Sequence, residues 1–135
     1  IDVRFIELMP VGPCAGWPKA RFIPAGTVLE AVPGLQPLRR DGVAELWHAP
    51  GWAGNVGLIR PMSHRFCDGC SRIRVTADGR LKPCLHSAAE IPLRGLHGEA
   101  LLAELRRGIA AKPAYHHMDQ DHASQSARDM NEIGG

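Results

Sequence analysis

The residues of this chain best suited to chemistry are three clustered cysteines, Cys67, Cys70 and Cys84. Cys67 and Cys70 form a C-x-x-C pair, in which a tight turn can point two sulfurs at one metal. Three thiols are an odd number for disulfides and one short of a four-thiolate cage. Metal binding is favoured, because a redox C-x-x-C would leave the third cysteine without a role. The fourth cysteine, Cys14, lies in a Gly/Pro-rich loop and is expected to be a bystander.

Two kinds of metal site fit this cysteine spacing. One is structural zinc in a Cys₃His site, with His86 or His64 as the fourth ligand. The other is a [4Fe–4S] cluster held by three thiolates, which leaves one iron free to bind a substrate atom. Spacing alone leaves both open.

The segment "IRVTADGRLKPCL" predicts a β-hairpin, and its turn decides where Cys84 lies. A two-residue Asp78-Gly79 loop would place Cys84 opposite Ile73. A three-residue loop with a left-handed Gly79 places Cys84 opposite Arg72, so that metal and arginines share a face. We favour the second register.

Two arginines lie beside the cysteines. Arg72 and Arg74 alternate along a predicted strand and so project to one face. A solvated strand face is one interpretation, and recognition of a phosphorylated ligand is the other, because guanidinium groups bind phosphate oxygens bidentately. Arg4, in an otherwise apolar strand, is a third candidate.

Hydrophobic periodicity predicts the elements that position these residues. Strands are expected at "DVRFIEL", "VAELWHA" and "NVGLIRPM", and helices at "TVLEAV" and "GEALLAELRRGIAA", the second ended by Pro113. A Gly/Pro-rich loop, "MPVGPCAGWPKA", should follow the first strand. We expect a small antiparallel sheet to carry the cysteines and the longer helix to cover it. The fold class is α/β, with an α+β arrangement in this part.

Composition narrows the function classes. The 135 residues are 44% hydrophobic and carry 16 basic and 14 acidic side chains, a net charge of +2. That balance of charges favours neither a nucleic-acid partner nor a membrane surface. We expect a cytoplasmic protein. Because a strand-like run begins at residue 1, we interpret the chain as the C-terminal piece of a larger protein.

Four stretches resemble the MoaA family, the radical S-adenosylmethionine GTP 3′,8-cyclases of molybdenum cofactor biosynthesis. "FCDGCSRIRVTADGRLKPCL" resembles the family's C-terminal cluster segment, and "GNVGLIRPMSHRFC" resembles the approach to it. "VRFIELMPVG" resembles the last barrel strand, and "ARDMNEIGG" the C-terminus. The N-terminal C-x-x-x-C-x-x-C motif of the family's first cluster does not occur in this sequence.

The resemblance implies the C-terminal portion of an incomplete TIM-type (β/α) barrel. Residues 1–20 would be its last strand and loop, 21–112 a cluster and substrate domain, and 113–135 a tail ending in Gly-Gly. The implied activity is a lyase reaction, conversion of GTP to (8S)-3′,8-cyclo-7,8-dihydroguanosine 5′-triphosphate. We expect the chain alone to be inactive, because the barrel and its first cluster are missing.

The resemblance also assigns roles to single residues. The implied cofactors are a second, open [4Fe–4S] cluster and S-adenosylmethionine, and the implied substrate is GTP. The transferred positions are as follows: Cys67, Cys70 and Cys84 as cluster ligands, Arg4, Arg72 and Arg74 at GTP, Met9 at S-adenosylmethionine, and Gly134 and Gly135 as the catalytic tail. Lys112 and Arg128 are candidates for holding that tail.

The resemblance implies further partners. They are the missing N-terminal barrel and the pterin synthase of the next step, and the family also admits a homodimer. The tail histidines His116, His117 and His122 are interpreted as part of a solvated polar stretch rather than a second metal site.

Overall fold

The computed structural model describes residues 1–118 and 123–133, which form two compact units. The first unit comprises Ile1–Met9 and Pro18–Cys70, and the second comprises Pro10–Trp17 and Ser71–Gly135. Gly134 and Gly135 lie outside the described residues, as does His122. No helix in the described parts of the chain is both long and apolar enough to cross a membrane.

The first unit is built on a four-stranded sheet. Its strands are β1 (Val3–Ile6), β2 (Gln36–Asp41), β3 (Ala44–His48) and β4 (Val56–Ile59), in the order β1-β4-β3-β2. β1 runs parallel to β4, and the other neighbours are antiparallel. The short helix α1 (Thr27–Ala31) precedes β2.

The core of this unit lies under β4. Val56 and Leu58, on the same face of the strand, are buried with Ala25. Val28, Leu29, Leu35 and Trp47 pack around them, so that α1 and β3 close the cluster. β1, at one edge of the sheet, instead exposes Val3, Phe5 and Ile6.

The second unit contains a smaller antiparallel sheet and the long helix. Its strands are β5 (Arg74–Val75), β6 (Arg80–Lys82) and β7 (Ile91–Pro92), paired in that order. Helix α2 (Gly98–Ala110) packs against β6. The helix ends before Pro113, as predicted, since proline has no amide hydrogen with which to continue it.

The predicted three-residue hairpin loop is confirmed. Arg74 pairs with Lys82 and Val75 with Leu81, and Gly79 has a φ of 79°, in the left-handed region. Thr76 N donates to Arg80 O at 2.9 Å and so closes the loop. Extending this register two residues beyond the paired strands places Cys84 opposite Arg72.

The close approach of α2 to the sheet depends on Gly108. A Cβ at this position would lie 2.2 Å from Leu81 Cδ2 and 3.0 Å from Ile91 Cδ1. Leu81 is fully buried, so its side chain would have to shift within the core to admit this Cβ. Gly108→Val should therefore lower the free energy of unfolding by about 2 kcal/mol through overpacking.

Chemical denaturation monitored by circular dichroism measures this loss. Ala103→Val, at an exposed position of the same helix, is the control for the helix propensity of valine. Equal losses in the two variants would show that the contact between Gly108 and Leu81 is not tight.

Several details of the fold were not predicted, among them the two-residue strand β7. β2 was missed, because its sequence QPLRRD is polar and contains a proline, which suits only an edge strand. The loop expected at 9–20 contains two short 3₁₀ turns, Gly12–Gly16 and Lys19–Arg21. All of the predicted strands and both predicted helices are present.

Candidate metal and nucleotide site

Cys67 and Cys70 lie on one tight turn at the end of the first unit. Cys67–Gly69 is a 3₁₀ turn, and Cys70 N donates to Cys67 O at 3.1 Å. Both cysteines are half-buried and neither is in a disulfide. The small antiparallel sheet was expected to carry the clustered cysteines, but neither this pair nor Cys84 lies within its strands.

Cys84 belongs to the second unit, two residues after the end of β6. It is also half-buried and free of disulfides. Lys112 Nζ donates to Arg72 O at 2.8 Å and to Pro83 O at 3.1 Å. One ammonium group therefore connects the two chain segments that carry Arg72 and Cys84.

None of the three thiols is in a disulfide and all are half-buried. Within residues 1–118 and 123–133, no three His, Cys, Asp or Glu side chains are gathered closely enough to hold a metal ion. Two candidate ligands lie in the first unit and one in the second. Their assembly into one site stays a prediction.

The predicted nucleotide-binding arginines are divided between the units in the same way. Arg4, on β1, is 42% exposed and forms an ion pair with Asp41 on β2. Arg72 is exposed and Arg74 half-buried at the open end of the hairpin in the second unit. Met9 is half-buried at the end of a first-unit segment.

The two histidines proposed as zinc ligands differ in environment. His86 is buried, and its ring contacts that of His116 edge-on, with centroids 5.4 Å apart. Burial, followed by the charges of His116, Lys82 and Arg74, lowers the pKa of His86 to about 4. His86 is therefore neutral at physiological pH, the form that binds zinc. His64 is 53% exposed, and its Nε2 lies 3.6 Å from Glu45 Oε1.

The interpretation of the tail histidines as solvated was wrong for His116, which is only 7% exposed. The adjacent His117 is exposed and contacts the ring of Tyr115. Histidine is classed as polar, but its flat ring packs well in a buried environment. The sequence therefore offered no means to distinguish the buried His116 from the exposed His117.

Comparison with known proteins identifies the family. A family model described as Molybdenum Cofactor Synthesis C matches residues 1–118. The chain belongs to this family. It is 48% identical over 140 residues to GTP 3′,8-cyclase of Alkaliphilus metalliredigens, and 42% identical over 140 residues to GTP 3′,8-cyclase of Alkaliphilus oremlandii. Each match covers 100% of this chain but 44% of the relative, so the chain spans less than half of their length.

In this member of the Molybdenum Cofactor Synthesis C family, an ion network begins at Lys82, two residues before Cys84 in the sequence. Lys82 is 1% exposed, and its Nζ donates to Ser87 O at 2.8 Å and to Glu90 Oε1 at 3.4 Å. Arg128 Nε donates to Glu90 Oε1 at 2.6 Å, and its Nη2 donates to Glu90 Oε2 at 3.0 Å. Arg128 Nη2 also donates to Asp78 Oδ2 at 2.8 Å, at the tip of the hairpin.

The network explains three pKa shifts. The hydrogen bond from Arg128 is the largest influence on Glu90 and on Asp78, and it holds the pKa of each carboxyl below its usual value. The same two carboxylates, Glu90 first, raise the pKa of Arg128. Arg128 thus attaches the described tail segment to Asp78 and Glu90. Its role in holding Gly134 and Gly135, which lie outside the described residues, stays a prediction. Lys112 binds hairpin carbonyls instead.

Sequence reasoning missed the partners in this network. Glu90 lies in the polar stretch "HSAAEIP", where no periodicity marks it as half-buried. Lys82 alternates with Leu81 along β6, a pattern that predicts an outward-facing lysine. Its ammonium group is instead bound by Ser87 O and Glu90 Oε1, partners that a period-two pattern does not reveal.

Proposed function

We propose that the chain is the substrate-binding C-terminal part of a GTP 3′,8-cyclase. Cys67, Cys70 and Cys84 would hold a [4Fe–4S] cluster with one iron open to the guanine base of GTP. When bound, the cluster would supply an iron with a vacant coordination position for the base. The hairpin register supports this proposal most directly, because its extension beyond the pair Arg74 and Lys82 would put Cys84 opposite Arg72.

The remaining residues have supporting roles in this proposal. Arg72 and Arg74 would bind the triphosphate as paired cations, and Arg4 would add a third positive charge. Lys112 would keep the ends of the hairpin together. Met9 would line the S-adenosylmethionine site, and Gly134 and Gly135 would enter the reaction site as a catalytic tail with little side-chain bulk.

The parts of the relatives that lie outside this chain would complete the enzyme. The chain spans 44% of those proteins, and the first cluster and the barrel would lie in the remainder. We infer that this chain alone does not convert GTP to the cyclic nucleotide, that it works in the cytoplasm, and that its product passes to a pterin synthase. A homodimer is compatible with this proposal.

Anaerobic reconstitution with iron and sulfide tests the proposal. Ultraviolet–visible absorption near 400 nm and the EPR spectrum of the reduced protein should report a cubane cluster, on the order of one per chain. A colourless protein with one tightly bound zinc per chain would support the alternative, a zinc-stabilised binding module. In that module the neutral imidazole of His86 is the leading fourth ligand.

A charge-deletion variant tests the role of Arg74 separately. Arg74→Ala should weaken binding of GTP roughly tenfold, because a charge-assisted hydrogen bond to phosphate is lost. Binding of guanosine, which has no phosphate, should change little. Isothermal titration calorimetry with both ligands makes the comparison.

Arg106→Ala, which removes an exposed arginine of α2, is the matched control and should leave both affinities unchanged. An equal loss of GTP and guanosine binding in Arg74→Ala would mean that this arginine does not contact phosphate.

A further inference from the structure

The carboxylate of Glu7 is a buried group to which the proposed function assigns no role. Glu7 follows β1 directly and is only 2% exposed. Its Oε1 accepts hydrogen bonds from Ala25 N at 3.1 Å and from the Ser63 hydroxyl. Its Oε2 accepts from Met62 N at 2.9 Å and from Ser63 N at 2.8 Å. A buried carboxylate with four donors is firmly held in place.

Three of those donors belong to the turn that leads to the cysteine pair. β4 ends at Ile59, whose carbonyl accepts a hydrogen bond from Glu7 N at 3.0 Å. His64 N donates to Arg60 O at 3.0 Å, so residues 60–64 form a closed turn. Glu7 binds the middle of this turn, and Cys67 follows a few residues later. All of these residues belong to the first unit.

We propose that Glu7 is a positioning residue for the C-x-x-C turn. Its carboxylate fixes the 60–64 turn to the end of β1, and thereby fixes where Cys67 and Cys70 leave the sheet that carries Arg4. The function of that positioning, holding a cluster, rests on the proposed function. The positioning itself does not require a bound cluster.

The chemistry of the side chain makes the proposal testable. An ionised carboxylate offers two acceptor oxygens, whereas a glutamine amide offers one acceptor and two donors. Glu7→Gln keeps the size of the side chain. Its NH₂ group would, however, replace one acceptor oxygen and face two groups that are themselves hydrogen-bond donors. The turn at 60–64 should then loosen while the β1–β4 pairing, which is made by the backbone, persists.

Cysteine alkylation in the cluster-free, reduced chain measures the effect. In Glu7→Gln, the rates at Cys67 and Cys70 should rise roughly tenfold, since hydrogen bonds to a charged group are lost. Cys14 and Cys84 lie in the second unit and serve as internal standards whose rates should not change. A variant that was merely unstable would expose all four thiols together. Hydrogen exchange at the amides of Met62 and Ser63 gives an independent reading.

Two further variants complete the experiment. Glu30→Gln, at an exposed position of α1, controls for the loss of a carboxylate and should resemble the wild type. Ser63→Ala removes only the hydroxyl donor and should raise the same two rates by a smaller factor, so it decides the matter if Glu7→Gln does not fold. Wild-type alkylation and exchange rates in a folded Glu7→Gln variant would overturn the proposal.

Cluster loading then separates this inference from the proposed function. If the wild type retains iron and sulfide, Glu7→Gln should retain several-fold less under the same conditions. If the wild type retains none, the proposed function fails, and the alkylation rates still decide whether Glu7 positions the cysteine turn.

Discussion

Replacing Cys84 with serine should reduce retention of the proposed [4Fe–4S] cluster by well over tenfold. Changes to groups that merely support a metal ligand commonly cost ten- to a hundredfold in affinity, and loss of a thiolate ligand should cost at least as much. The remaining pair, Cys67 and Cys70, lies in the other unit on a single turn. Two thiolates without the third would leave two irons of the cube without protein ligands.

The cysteine outside the cluster segment provides the control. Cys14 is half-buried in the 3₁₀ turn Gly12–Gly16. Cys14→Ser should keep the wild-type iron content and the wild-type absorption near 400 nm. Iron and acid-labile sulfide assays, read beside the EPR spectrum, compare the two variants. Full cluster content in Cys84→Ser would remove Cys84 from the ligand set and reopen the choice between cluster and zinc.

Replacing Glu90 with alanine should lower the free energy of unfolding of the second unit by about 3–5 kcal/mol. Glu90 is the carboxylate partner of Lys82, whose side chain is 1% exposed. Without it the buried ammonium retains Ser87 O, a neutral acceptor. Arg128 would lose both of its bonds to Glu90 and keep the one to Asp78. A buried charge deprived of its counterion accounts for most of the expected loss.

Two comparisons show whether the buried charge is the cause. Glu99→Ala, at an exposed position of α2, should cost less than about 1 kcal/mol, the range of a surface carboxylate near a helix N-terminus. The double variant Lys82→Met with Glu90→Ala should recover part of the loss, because it removes the unpaired ammonium as well. Urea denaturation of all three proteins tests this. A double variant no more stable than Glu90→Ala would contradict the explanation.

Much of the fold could be predicted from the sequence, because its strongest signals are local. Strands β1, β3 and β4 and helix α2 have clear apolar periodicity, and the Asp78-Gly79 pair marks the hairpin turn. The hairpin register had to be chosen between two alternatives, because a left-handed glycine suits both a two-residue and a three-residue loop. β2 was missed because an exposed edge strand has no apolar face from which it could be recognised.

The residues of the candidate site also fall into two groups, those that the sequence identifies and those that only the structure reveals. The candidate cysteines and arginines could be identified from the sequence, because their chemistry is a property of the residue type. Glu7, Lys82 and Glu90 could not, since a carboxylate or ammonium is interpreted as exposed unless its partners are known. Those partners are distant in sequence: Glu7 binds Met62 and Ser63, and Glu90 binds Arg128.

The two edges of the larger sheet differ in what each would accept as a neighbour. β2 carries a proline and the exposed, charged Arg39 and Arg40, features that discourage another strand from joining. β1 exposes Val3, Phe5 and Ile6, and among the described residues it pairs on one side only, with β4. This sheet is therefore expected to extend at its β1 edge. A further strand would pair with β1, and it could come from the proposed barrel or from a neighbouring molecule in a concentrated solution.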